Sequence, residues 1–198
     1  MAEMAFNEFS EVCFKSNSVP VAVSARSPLP PGGWSPPDDP FVKVSCDATW
    51  VKKTNRGGLG IIIRDHIGIP LHAFTAGFDG VSSLFAKAVA VGTWLLQAAK
   101  CGFSSIVVES DCSNLICQIN SKSFDLEIIG VGFDILQLQG SFATCFFSLV
   151  PRSSNSVADS LARSALSDES PIAWPVTSQW LINLCNLDVT ACIDSIYQ

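Results

Sequence analysis

Charged residues are scarce in this sequence. Only 15% of its 198 residues are Asp, Glu, Lys or Arg, and 18 acidic residues outnumber 12 basic ones, for a formal net charge of −6. This balance argues against a polybasic arm for nucleic acid or anionic membrane, although it leaves room for a local basic groove. The hydrophobic fraction of 48% is far from that of disordered chains, so we expect one main folded domain.

The sequence also lacks an apolar run of the roughly eighteen residues that a membrane span requires. Its most hydrophobic stretch is interrupted by Lys87 and Lys100. The N-terminus carries Glu3, Glu8 and Glu11 where a secretory signal would place positive charge. We therefore predict an intracellular protein of the cytoplasm or nucleus that is not secreted and has no membrane partner.

Histidines are few, and the cysteines form no CxxC pair. With two histidines in the chain, a zinc site of ordinary ligand spacing is disfavoured. His66 and His72 fall on or beside a predicted hairpin and are interpreted as surface or strand residues rather than catalytic ones. The eight cysteines are scattered, several in apolar segments, which favours reduced buried thiols over a disulfide framework.

The chain divides into three parts by composition. Residues 1–40 show no sustained period and hold six prolines between positions 28 and 40, which predicts a disordered or linker-like tail. Alternating apolar and polar residues begin at Phe41, and periodic segments continue through residue 167. Residues 168–198 are predicted to form a C-terminal extension, with a short helical turn or a surface peptide near 179–187.

The periodic region alternates between strands and helices. Its first three strands include a hairpin, and helix–strand alternation follows. Because parallel strands need a crossover connection, this order predicts an α/β fold with a mixed five-stranded sheet, three antiparallel strands and then parallel ones, flanked by helices. The predicted strands are 41–50, 57–65, 69–77, 104–110 and 141–151, and the predicted helices are 82–101, 111–120, 130–139 and 155–166.

Three aspartates are candidates for a shared site. Asp47 interrupts an apolar strand, where an ionised side chain needs a cation or hydrogen-bond donors. Asp111 ends the fourth strand and Asp159 lies early in the last helix, so the predicted topology lets all three converge around a hard cation such as Mg²⁺. Taken singly, Asp111 also suits a helix N-cap, and Asp159 a solvated helical position.

Five segments resemble the ribonuclease H fold, in particular the reverse-transcriptase-related domains of land plants, over about residues 41–167. The resemblance implies a Mg²⁺-dependent endonuclease, with Mn²⁺ as the alternative ion, that hydrolyses the RNA strand of an RNA–DNA hybrid. It also implies that Asp47, Asp111 and Asp159 are the catalytic, metal-binding carboxylates. We further predict a retrotransposon-derived protein that is monomeric. The segments are CDATW (46–50), GGLGIIIRDHIGIPL (57–71), SSLFAKAVAVGTWLLQAAKCGF (82–103), IVVESDCSNLICQIN (106–120) and FSLVPRSSNSVADSLAR (147–163).

Two positions depart from the family pattern. Lys87 stands where relatives carry the fourth carboxylate, a glutamate, and no Asp or Glu lies between Asp79 and Glu109 to replace it. Its ammonium group is expected to pair with Asp47 or Asp111 and to weaken metal binding. Leu149 stands where many relatives have histidine. The alternative is therefore a catalytically degenerate module that binds nucleic acid or a protein partner.

Basic residues are candidates for contact with nucleic-acid phosphates. Lys52, Lys53 and Arg56 lie in the turn after the first strand, and Arg152 and Asn155 follow the fifth. A solvated hairpin turn explains the first three equally well, so both interpretations stay open.

Overall fold

The computed structural model describes residues 33–79, 82–168 and 170–194. They form a sheet with helices on both faces. No helix in these ranges is long and apolar enough to cross a membrane. The strands are β1 (Val42–Val51), β2 (Arg56–Arg64), β3 (Pro70–Asp79), β4 (Ser105–Ser110), β5 (Thr144–Leu149) and β6 (Ile172–Trp174), and the helices are α1 (Ser83–Lys100), α2 (Ser113–Ser121), α3 (Ile129–Gln139), α4 (Ser156–Ser164) and α5 (Gln179–Asp194), with 3₁₀ turns at Arg152–Asn155 and Ala165–Ser167.

The sheet confirms the predicted mixed topology and adds one strand to it. Its order is β5-β4-β1-β2-β3-β6, with antiparallel pairing from β1 through β3 and parallel pairing of β1, β4 and β5. The predicted count of five strands is corrected to six, because Ile172–Trp174 pairs with β3. A three-residue strand between prolines is too short to show an alternating pattern, so the sequence did not reveal it.

Successive residues of β2 contribute side chains to two separate hydrophobic cores. Ile61 and Ile63 are fully buried in the main core with side chains of α1, α2 and α3. Ile62 points to the opposite face, where it joins a second core with Leu161 of α4 and Leu181 of α5. The helices therefore cover both faces of the sheet.

Helix α4 packs directly on the backbone of β2. A Cβ atom placed at Gly60 would come within 2.1 Å of the Ala162 nitrogen, and one at Gly58 within 2.2 Å of the Ala162 carbonyl oxygen. Neither position has room for a side chain. These strand positions are glycine because a helix approaches the strand backbone closely.

The segments on either side of 41–167 contact the sheet. The Trp34 side chain is 1% exposed and lies on Arg64 of β2. At the other end, α5 is longer than the helical turn predicted near 179–187, and its Leu181 and Cys185 are buried in the second core. Trp34, assigned to the tail by composition, thus packs on the fold, whereas residues 38–40 are exposed and residues 1–32 lie outside the described residues. Six described cysteines are free thiols, of which Cys46 and Cys185 are buried.

Candidate functional site

Parallel pairing of β1 and β4 places two of the predicted aspartates side by side. Ser45 is the register partner of Glu109, so Asp47 and Asp111 each lie two residues further along neighbouring strands. Asp47 is 3% exposed within β1. Asp111 follows the carboxyl end of β4, in the connection to α2. The two carboxylates therefore occupy the same edge of the sheet, as the sequence predicted.

Helix α1 brings a cation to these carboxylates. Its N-terminus is fixed by Ser82, whose hydroxyl oxygen accepts a hydrogen bond from the Phe85 backbone nitrogen. One turn further on, the Lys87 Nζ atom lies 2.7 Å from Oδ1 of Asp47 and donates a 2.7 Å hydrogen bond to Oδ1 of Asp111. The predicted pairing of Lys87 with one aspartate is thus found with both.

Lys87 and Asp47 shift one another's pKa values in opposite directions. Burial raises the pKa of Asp47, an effect that Lys87 opposes and Asp111 reinforces. Burial would lower the pKa of Lys87, but its contacts with Asp47 and Asp111 raise it above the ordinary value. Lys87 is therefore a fixed ammonium ion at neutral pH, held between two carboxylates.

Asp159 lies in a different set of contacts. Its Oδ2 atom is 2.6 Å from Nη2 of Arg163, and its Oδ1 atom is 3.5 Å from Nη2 of Arg152. The structure thus brings Asp47 and Asp111 together at Lys87, while Asp159 pairs with arginines of its own helix and the preceding turn. Within the described ranges, no three His, Cys, Asp or Glu side chains are grouped so as to hold a metal ion.

The residues present do not fit a divalent cation between Asp47 and Asp111. A hard cation would need the carboxylate oxygens that face each other there. One oxygen of each, Oδ1, is already 2.7 Å from the Lys87 ammonium nitrogen. A second positive charge beside it would be repelled, and the glutamate ligand that the family pattern supplies is missing. The role of Asp47, Asp111 and Asp159 as metal ligands stays a prediction.

The candidate phosphate-binding residues divide by exposure. Lys52 and Lys53 are exposed in the turn between β1 and β2, and the Arg152 side chain is 72% exposed. Arg56 instead donates a 2.6 Å hydrogen bond to the Asp168 carbonyl, and Asn155 is 1% exposed. Lys52, Lys53 and Arg152 are therefore exposed to a ligand, although Arg152 also contacts Asp159, whereas Arg56 and Asn155 are bonded within the protein.

The exposed basic residues lie at the same edge of the sheet as Lys87. Strands β1, β4 and β5 are parallel, so their carboxyl ends point the same way. Lys52 and Lys53 follow β1, and Arg152 follows β5. Lys52 is five residues beyond Asp47, or about 16 Å along the strand.

Sequence reasoning missed a set of buried charges elsewhere in the fold. Lys43 Nζ is 2.8 Å from Oε1 of Glu109, and Arg64 Nη1 is 3.0 Å from Oδ2 of Asp188. Glu109, two residues before Asp111, therefore pairs with Lys43. The sequence signal that could have revealed these pairs is a charged residue inside an apolar strand segment, because a buried charge needs a partner.

A family model matches the part of the chain that contains the candidate site. Residues 45–165 match the model described as reverse transcriptase-like, from β1 to the 3₁₀ turn after α4. A search of curated protein sequences gives no match.

Solved structures with similar folds include ribonucleases H. The N-terminal RNase H domain of a Mycobacterium tuberculosis protein is 19% identical with a TM-score of 0.60, and covers 64% of this chain and 93% of its own. RNase H1 from Halobacterium salinarum is 21% identical with a TM-score of 0.60, and covers 65% and 98%. LC11-RNase H1, isolated from compost and solved with an RNA/DNA hybrid, is 19% identical with a TM-score of 0.55, and covers 63% and 96%.

These structures confirm the ribonuclease H-like fold that the sequence motifs indicated. The family model spans well over half of the chain and includes Asp47, Lys87, Asp111 and Asp159. This chain belongs to the reverse transcriptase-like family and has a ribonuclease H-like domain.

Proposed function

We propose that this chain is a ribonuclease H-like module that binds RNA–DNA hybrids without cleaving them. The observation that carries the proposal is the Lys87 ammonium, 2.7 Å from a carboxylate oxygen of both Asp47 and Asp111. A protein cation that cannot dissociate occupies the electrostatic position that the family pattern reserves for a divalent ion. Water activation by a metal at this position therefore has no place to occur.

The exposed basic edge supports nucleic acid as the ligand class. Lys52, Lys53 and Arg152 are exposed at the carboxyl edge of the parallel strands, the same edge that carries the Lys87 site. Contacts of this kind bind phosphates and carry no base information, which suits recognition of a duplex by its shape. RNA–DNA hybrid is the first duplex to test, because a structural relative was solved with one.

The test is the affinity of the full chain for a labelled RNA–DNA hybrid, measured by fluorescence anisotropy with EDTA present. Reversing both charges with Lys52→Glu/Lys53→Glu should weaken binding about tenfold or more, since each phosphate contact contributes an ion-pair interaction. The matched control is Lys100→Glu/Lys122→Glu, which reverses two charges at the ends of α1 and α2. An equal loss in both double variants, or no hybrid binding by the parent chain, contradicts the proposal.

The second candidate is the hybrid endoribonuclease itself, acting with Mg²⁺ or Mn²⁺ through Asp47, Asp111 and Asp159. The observation in its favour is that Asp47 and Asp111 remain paired at one edge of the sheet. Lys87→Glu separates the two candidates, because it removes the ammonium and supplies the missing carboxylate. Metal-dependent cleavage by the variant but not by the parent chain supports the non-cleaving module, whereas cleavage by the parent chain supports the nuclease.

A further inference from the structure

Three consecutive side chains at the start of α4 are bonded to three distant parts of the chain. The bonds connect this junction, residues 154–156, to the N-terminal segment, to β1 and to α5. Ser154 Oγ donates to the Gly33 carbonyl at 2.9 Å, Asn155 Nδ2 donates to the Cys46 carbonyl at 3.1 Å, and Ser156 Oγ donates to Asp188 Oδ1 at 2.6 Å.

The N-terminal segment and α5, which bond to Ser154 and Ser156, both contact Arg64 of β2. The Trp34 ring centroid, one residue beyond Gly33, lies 3.4 Å from Cζ of Arg64. Arg64 in turn pairs with Asp188 at 3.0 Å, and both side chains are 1% exposed. The N-terminal segment and α5 therefore hold the junction and each other through one buried arginine.

The junction directly follows the exposed arginine of the basic edge. Arg152 opens the 3₁₀ turn Arg152–Asn155, and the end of that turn is buried, with Ser154 7% and Asn155 1% exposed. Because hydrogen bonds hold the buried end of this turn, they fix the position of the Arg152 backbone and hence of its exposed side chain. Asn155, predicted as a phosphate contact, is placed instead where it anchors the backbone.

We infer that the junction 154–156 is a positioning element that holds Arg152 at the carboxyl edge of the sheet for contact with nucleic-acid phosphates. The inference rests on the proposed binding function and extends it. Two of the three anchors, Gly33 and Asp188, lie outside the family-matched stretch 45–165, so the basic edge depends on segments that the family model does not include.

The test is a double-mutant cycle on hybrid binding by the full chain with Ser154→Ala, Arg152→Gln and both together. Arg152→Gln should weaken binding about fivefold and reduce the salt slope by about one phosphate contact. Ser154→Ala should cause part of the same loss, and the double variant should bind no more weakly than Arg152→Gln alone. The control Ser160→Ala removes a hydroxyl that donates an exposed hydrogen bond to the Ser156 carbonyl within α4, and it should leave binding unchanged.

The inference is overturned if the loss of affinity in the double variant is the product of the two single losses. It is also overturned if Ser154→Ala binds the hybrid as tightly as the parent chain. Amide hydrogen exchange, measured without nucleic acid, gives a second readout. Ser154→Ala should speed exchange in residues 152–158 while leaving the centre of β2 unchanged, and equal exchange in both proteins would overturn the inference. If the parent chain binds no hybrid, the proposed function fails by itself and the exchange measurement still decides whether the junction anchors the turn.

Discussion

At the scale of single residues, Lys87 determines the electrostatics of the candidate site. Lys87→Met would leave Asp47, whose side chain is 4% exposed, facing Asp111 without a cation. Removing one partner of a buried ion pair costs about 3 kcal/mol, so the free energy of unfolding in urea should fall by about that amount. Lys100→Met, on the exposed end of the same helix, should cost about 0.5 kcal/mol. Equal small losses in both variants would mean that the Lys87 contacts do not stabilise the fold.

A second residue-scale prediction concerns the buried pair of Arg64 and Asp188. Arg64→Met leaves the Asp188 carboxylate buried without its cation and should lower the free energy of unfolding by about 3–5 kcal/mol. Arg64→Met/Asp188→Leu removes both charges and should recover much of the loss, because the desolvation cost of the ion pair also disappears. Urea denaturation of Arg64→Met, Asp188→Leu and the double variant measures the coupling, and additive losses would contradict the pairing.

The site residues show which side-chain roles the sequence can predict. Lys87 was predicted to pair with Asp47 or Asp111, because it stands where the family pattern places a glutamate ligand, and the structure shows it paired with both. The burial of Asn155 and the internal bond of Arg56 were not predicted, because both depend on residues more than a hundred positions away in sequence. No local pattern reports such partners.

At the scale of elements, the close packing of α4 on β2 depends on glycine. Gly60→Ala would place a Cβ atom 2.1 Å from a backbone nitrogen of α4, which a side-chain rotation cannot relieve. The helix must shift, and we expect a loss of about 3 kcal/mol in the free energy of unfolding. Gly130→Ala is the control, because nothing lies within 4 Å of its added Cβ, and it should stabilise α3 by about 0.5–1 kcal/mol. Thermal unfolding that ranks the two variants in the opposite order would contradict this packing.

The sequence predicted the long elements well and the short or distant ones poorly. Strands β1–β5 and helices α1–α4 follow clear periods, so their order implied the mixed sheet. Strand β6 is formed by pairing with β3, and the full length of α5 depends on packing against the second core. Trp34 belongs to a proline-rich segment without a period, and its burial comes from its contact with Arg64 rather than from local propensity.

At the scale of the whole molecule, a net charge of −6 disfavours nucleic-acid binding away from local clusters of basic residues, so the proposed binding depends on the basic edge. With Lys52, Lys53 and Arg152 as the phosphate contacts, the logarithm of the binding constant should fall with the logarithm of salt concentration with a slope of about −2 to −3. The measurement is a salt titration of hybrid affinity with EDTA present. Affinity that is independent of salt would show that the basic edge is not the binding surface.

In the proposed function, the Lys87 ammonium takes the place of a catalytic metal ion at Asp47 and Asp111, and the chain does not cleave RNA. The most direct measurement is cleavage of a labelled RNA–DNA hybrid by the purified full chain in Mg²⁺ and in Mn²⁺, beside an Asp47→Asn control and with folding checked by circular dichroism. We predict that the folded parent chain leaves the RNA strand intact in both ions. RNA cleavage by the parent chain that Asp47→Asn abolishes would contradict the account.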